Sequence, residues 1–347
     1  MIVRKLVRTP NLDLIRATAI LIVLFYHVFE GFNFPRVNFL ISSGKYGVQL
    51  FFVLSGFLIG CLFYEELKKN NVVNIKKFIL RRFSRTLPPY YIVLVVAYLL
   101  VFISRREVFD VKYLFFLQNY LDHIPFFKVS WSLCVEEHFY FVLPFFLTFI
   151  HYISKKWIKI FIVILVLFLP LCFRILESAG KDLSFGYLTT ATHLNFDCMS
   201  FGVLIAYVFI NTEIEFSDFL NKTFVILPIV LLIVFPFLDE RLVYTYGKLL
   251  LPISFSLGIF VLVLSKQYSI SSNKLISFIA QSSYSTYLTH AFVLNFYDKI
   301  YPHKDSNNWV DLFVITMTII TSLIIGFLFY YFIEKKLMYY RDKWVSK

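Results

Sequence analysis

The chain has 347 residues, of which 59% are hydrophobic, 20% aromatic and only 16% charged. A soluble domain is nearer half apolar and a quarter charged, so this balance excludes an ordinary soluble fold and points to lipid as the solvent. The net charge of +12 does not imply a nucleic-acid partner. Lys and Arg stand in short blocks between apolar runs, as orientation determinants do, and suit contact with anionic lipid.

Each bilayer crossing takes about 20 apolar residues, which leaves room for about ten crossings joined by short loops. Ten apolar segments can be marked, at about 12–30, 46–64, 87–104, 132–153, 157–175, 188–210, 223–238, 247–265, 275–297 and 309–334. Residues 1–347 therefore read as a single membrane-embedded domain with no appended soluble domain. The expected fold is an all-α integral membrane protein, a bundle of about ten transmembrane helices around a polar cavity or path. Tyr113–Leu121 is apolar but too short to cross, and reads as an interfacial or re-entrant piece. The first run follows Arg4, Lys5 and Arg8, and no small-residue cleavage site follows it closely, so it reads as an uncleaved first helix.

Charge tests the count. With the N-terminus in the cytoplasm, the internal loops and tails collect roughly 21 Lys and Arg, against roughly 12 outside. The loop before the third segment, from Lys68 to Arg85, and the block Lys155, Lys156 and Lys159 carry most of this bias. Both termini are thus expected in the cytoplasm, although the loop at 211–222 is more acidic than basic. Cys61, Cys134, Cys172 and Cys198 are widely spaced within apolar stretches and read as small core residues, so no metal is expected.

In the first segment Arg16 and His27 are eleven residues apart. On a helix that spacing leaves about 20° of offset and about 16 Å of rise, so both lie on one face, with Asp13 within about 40° of it. An ionisable side chain at mid-membrane costs on the order of 2.5–3.5 kcal/mol and tends to face a cavity. A lone histidine there is more often a packing residue; Arg16 on the same face turns the reading toward acid–base chemistry, for which imidazole is suited near neutral pH. Ser55 and Gly56 in the second segment allow close helix contact. Arg82 and Arg85, three apart before Pro88, share a helix face, and guanidinium forks pair bidentately with phosphate. Glu136, Glu137 and His138 open the fourth segment; the two carboxylates point about 100° apart, so at most one serves a common site.

Taken in chain order, these groups resemble the acyltransferase-3 family of membrane-bound acyltransferases. The match runs from Arg16 and His27 through Phe51, Phe52, Ser55 and Gly56, then Arg82 and Arg85, then Trp131, Ser132, Leu133 and Glu136. It continues with Thr192, His193, Asp197 and Gly202, then Ser283, Tyr284, Ser285, Tyr287 and His290, and ends at Glu334. The resemblance implies a ten-helix bundle in the bacterial inner membrane. Such a protein moves an acyl group, commonly acetyl, from cytoplasmic acyl-CoA to a hydroxyl of an extracytoplasmic glycan. It further implies a catalytic role for His27 and donor contacts for Arg16, Arg82 and Arg85. Glu136 is expected to orient His27 or to bind sugar hydroxyls. Asp13, Asp197 and His290 are expected substrate-binding residues, with packing an equal reading for His290 and a helix-end ion pair for Glu334. Asn195 departs from the arginine, and Lys335 and Lys336 from the proline, that many relatives carry. Acyl-CoA is the expected donor substrate, with no bound cofactor; a homo-oligomer or an envelope partner stays open.

A transporter or flippase of a lipid-linked sugar or small anion is the competing class, but no repeated halves are visible. A glycan polymerase is expected to carry a large polar external loop, which is absent from this pattern.

Overall fold

The computed structural model describes residues 9–30, 32, 38–105, 109–183, 186–264, 271–302 and 309–345. Arg4, Lys5, Arg8, Lys266 and Lys347, which entered the count of internal basic residues, lie outside the described residues. Among the described residues there are helices and turns but no strand.

The principal helices are α1 (Pro10–Glu30), α2 (Gly47–Asn70), α3 (Ile75–Arg105), α4 (Trp131–Tyr152), α5 (Lys156–Ser178) and α6 (Phe196–Asn211). They continue with α7 (Asp218–Val234), α8 (Lys248–Leu264), α9 (Lys274–Ile300), α10 (Trp309–Phe329) and α11 (Lys335–Val345). Among the described residues, eight continuous helical stretches are long and apolar enough to cross a membrane, which makes this a multi-pass membrane protein.

Two expected segments depart from that description. The stretch 188–210 is interrupted, and its helix starts only at Phe196 and has 16 residues, about 24 Å, against a hydrocarbon core of about 30 Å. The cause is local: Asn195 Nδ2 donates to the carbonyls of Thr189 (3.2 Å) and Ala191 (2.9 Å), so a side chain takes carbonyls that a continuing helix would use. By contrast, α9 is an unbroken 27-residue helix whose buried face carries Ser282, Ser283, Ser285, Thr286, Thr289 and His290. That polar face keeps it out of the apolar set.

Burial ranks the helices. In the stretch Ile41–Asn70, 78% of the most apolar window is buried, against 17% for α5, so α2 is central and α5 presents most of its surface outward to lipid. The centre is built on glycine. A Cβ added at Gly56 would stand 2.1 Å from the Met199 carbonyl oxygen, and one at Gly202 2.1 Å from that of Val53. Only glycine at these positions lets α2 and α6 approach backbone to backbone.

Between α3 and α4 the chain makes three short 3₁₀ turns instead of crossing, as the Tyr113–Leu121 stretch suggested. Hydrogen bonds hold it: Tyr90 Oη donates to the Tyr113 carbonyl (2.8 Å) and Tyr113 Oη to that of Phe126 (2.6 Å). Gln118 Nε2 reaches Ser130 Oγ (3.0 Å), and Asn119 Nδ2 reaches Thr192 Oγ1 (2.8 Å). Irregular backbone of this kind persists in a membrane protein when it is buried against other protein.

Candidate active site

Helices α1 and α9 set the axis of the site. Ser277 Oγ donates to Asp13 Oδ2 (2.8 Å) near their first turns, and the rings of His27 and His290 meet thirteen or fourteen residues later, centroids 5.1 Å apart. The two helices therefore run parallel and in register, and the stripe Ser283, Tyr284, Tyr287, His290 on α9 follows Arg16 and His27 on α1.

Alongside this pair lies a cavity of about 110 Å³. Arg16 enters it from α1, Phe51 and Ser55 from α2, Arg82, Arg85 and Thr86 from α3, Ser132, Glu136 and Tyr140 from α4, and Ser283, Tyr284 and Tyr287 from α9. Five helices that are remote in sequence thus bring three guanidinium groups and one carboxylate to one space. Glu136 is held by Ser55 Oγ, which donates to Oε1 (3.2 Å), and Tyr140 Oη, which donates to Oε2 (2.9 Å). Arg82 lies over the Tyr140 ring at 5.6 Å, a cation–π contact that leaves its donor fork unspent. Arg16 bonds Asp13 Oδ1 at 3.3 Å. Arg85, 41% exposed, stands 3.9 Å from Glu334 Oε1, while Ser285 Oγ donates to Glu334 Oε2 (2.6 Å). Glu334 closes a π-helical turn, Tyr330–Glu334, that turns it inward at the end of α10.

His27 is not among the cavity-lining residues. Its Nδ1 is 3.0 Å from the Val23 carbonyl, which can only accept, so the proton sits on Nδ1 and the lone pair of the neutral ring on Nε2. His290 repeats the arrangement on the Tyr287 carbonyl (2.7 Å), and its wholly buried Nε2 has no hydrogen-bond partner. Tyr287 is the link between the two regions, since it lines the cavity, bonds Ser132 Oγ (2.6 Å) and lies one turn before His290.

The structure thus brings Arg16, Arg82, Arg85 and Glu136 together, and places His27 and His290 as an adjoining pair. Glu136 does not orient His27, because Ser55 and Tyr140 take the carboxylate and Val23 takes Nδ1. Asp13 supports Arg16 from outside the cavity lining. Asp197 is elsewhere: its Oδ2 accepts from Arg174 Nη2 at 2.7 Å, with both side chains fully buried. That placement makes Asp197 a structural partner of Arg174, a residue not anticipated from the motifs, although a lone arginine in the apolar run 157–175 is itself a signal of a buried partner. Among the described residues no group of His, Cys, Asp and Glu is arranged to hold a metal.

Helices of this length and composition around a cavity lined by three arginines describe a multi-pass membrane protein with a cationic internal site. A family model described as an acyltransferase domain matches residues 9–331, and the chain belongs to the acyltransferase-3 family. It is 27% identical over 346 residues to the peptidoglycan O-acetyltransferase OatA of Listeria monocytogenes, an alignment covering 90% of this chain and 54% of that protein. To a protein of Bacillus subtilis provisionally named a peptidoglycan O-acetyltransferase, YrhL, it is 29% identical over 358 residues, covering 94% of this chain and 54% of the other. The chain spans about half the length of these curated relatives. No solved structure matches it.

Proposed function

We propose that this protein is a membrane O-acyltransferase that moves an acyl group, acetyl in the first instance, from cytoplasmic acyl-CoA to a hydroxyl of an extracytoplasmic glycan. In this reading α6 and α9 complete ten crossings, both termini are cytoplasmic, and residues 1–347 act as one membrane-embedded domain in the inner membrane of a bacterium. The observation that carries the proposal is the cavity in which Arg16, Arg82 and Arg85 converge beside Glu136.

The donor fits by charge. In this reading the acyl-pantetheine arm enters the cavity beside Ser55, Ser132 and Tyr287. The phosphates then remain at the mouth, where the exposed Arg85 and its neighbour Arg82 offer guanidinium forks. Arg16 and His27 are about 16 Å apart along α1, a span suited to the extended arm. Glu136 limits the positive charge among the arginines and, through Ser55 and Tyr140, keeps the wall of the channel in place.

His27 is the base. Its Nε2 removes the proton from the acceptor hydroxyl as that oxygen attacks the thioester carbonyl. The C–S bond then breaks, the new C–O bond remains, and the imidazolium returns its proton to the departing thiolate. His290, buried beside it with the ring centroids 5.1 Å apart, packs against the His27 ring and carries a second unprotonated Nε2.

Replacing His27 with Ala should abolish acyl transfer to membrane glycans, read by mass analysis of released sugars, while the variant still accumulates in the membrane. Normal acylation by that variant would end the proposal.

A further inference from the structure

A second cluster of polar and aromatic side chains lies well away from the arginine cavity. It sits where α5 ends and the turn before α6 begins. Helix α5 starts at Lys156 beside the basic block, and Glu177, one residue from its other end, is about 30 Å along the axis. At that end His193 Nε2 meets Glu177 Oε1 at 2.9 Å. The His193 ring lies nearly parallel to Tyr120 (9°, centroids 6.0 Å apart), against the edge of Phe173, with Tyr187 also at 5.9 Å. His138, on α4, bonds Thr192 Oγ1 at 2.7 Å next to them.

Two features separate this cluster from ordinary interfacial anchors. It is braced from beneath: Arg174, one turn before Glu177, pairs with Asp197 and donates from Nη1 to the Leu194 carbonyl (2.8 Å), which pins the turn that carries His193. It is also open from above, with Tyr120 39% exposed and the His193 and Glu177 side chains 28% and 26% exposed. A rigid support under an open, flat, hydrogen-bonding surface is the arrangement expected of a binding site. Anchors in an interfacial belt need no such brace.

We propose that Tyr120, Tyr187, His193 and Glu177 form the docking site for a pyranose ring of the glycan acceptor. The inference rests on the acyl-transfer reading and assigns the acceptor its place. Aromatic faces accept the C–H face of a sugar, and the carboxylate and imidazole edge supplies a few directed hydrogen bonds to its hydroxyls. An organic cation fits less well, because the carboxylate of Glu177 is already paired with His193 Nε2. The site also joins the proposed reaction centre through protein. Asn119, beside Tyr120, bonds Thr192; Gln118 bonds Ser130; Ser132 bonds Tyr287, one turn from His290.

The test uses the full chain in lipid nanodiscs with N-acetylchitotriose, a β-1,4-linked N-acetylglucosamine trisaccharide, as the probe. Titration should show binding by the unaltered protein, weakened about tenfold or more by Tyr120→Ala and by Glu177→Gln. Tyr120→Phe, which keeps the ring, should stay within about threefold, and coenzyme A binding should be unchanged in all three. Equal trisaccharide affinity in every variant, no binding by the unaltered protein, or binding of tetramethylammonium in its place would overturn the site. Trisaccharide binding that depends on Tyr120 and Glu177, without any acetyl transfer, would uphold the site and sink the reaction. Acetyl transfer with an unchanged acceptor KM in both variants would do the reverse.

Discussion

Two sets of charges lie within this bundle, and they are built differently. Arg174 and Asp197 meet at 2.7 Å, wholly buried, with a second guanidinium nitrogen on the Leu194 carbonyl. Arg82 and Arg85 line an open cavity, one over an aromatic ring and the other 3.9 Å from the nearest carboxylate oxygen. A buried ion pair needs close geometry to offset desolvation, so the first set is a structural clasp. Guanidinium groups left short of such partners are available to a ligand. Charge within a membrane therefore has two meanings here, and the distance to the partner separates them.

The comparison predicts opposite responses to mutation. The largest effect on stability belongs to the clasp: Asp197→Ala leaves a guanidinium buried without its partner and should cost about 3–5 kcal/mol. Thermal unfolding in detergent measures it, and the double replacement Arg174→Met with Asp197→Leu should recover much of the loss. If the single variant melts like the parent, the clasp is not structural. In the cavity, Arg82→Gln should leave the melting temperature nearly unchanged and weaken coenzyme A binding about tenfold or more, since a hydrogen bond to a charged group contributes about 1.5–3 kcal/mol. Glu136→Gln keeps both hydrogen-bonded neighbours while removing a negative charge. Coenzyme A should bind it at least as tightly, and a weakened donor affinity would place the carboxylate in a different role. Glu334→Gln is the mildest change, because Arg85 stands 3.9 Å away and Ser285 holds the other oxygen. Its donor KM should move by less than about threefold, the scale of a partly exposed ion pair.

Much of this site was legible in the chain because its residues are expensive in lipid. Arg16 and His27 on one helical face, Arg82 and Arg85 one turn apart, and Glu136 in an apolar run each carry that cost in the sequence. Their convergence in one cavity depends on tertiary packing, as does the adjacency of His27 to His290. The interruption before Phe196 left a trace in the sequence, since Thr189, Thr190, Thr192, His193, Asn195 and Asp197 thin the apolar pattern there, but the side-chain bonds to the backbone that make the break have no periodic signature. Arg174 was visible as a single charge, but its partner at Asp197 could only be found in three dimensions. Likewise Tyr120 and Glu177 are unremarkable one by one, and acquire a shared surface only where the 3₁₀ turns before α4 meet the end of α5.

The most direct test of the central claim is a coenzyme A titration of the full chain in nanodiscs, comparing the unaltered protein with the double variant Arg82→Gln, Arg85→Gln. The account predicts saturable binding that the double variant loses by about a hundredfold or more, with the melting temperature preserved. Equal coenzyme A affinity in the two proteins would contradict the assignment of the arginine cavity to the donor.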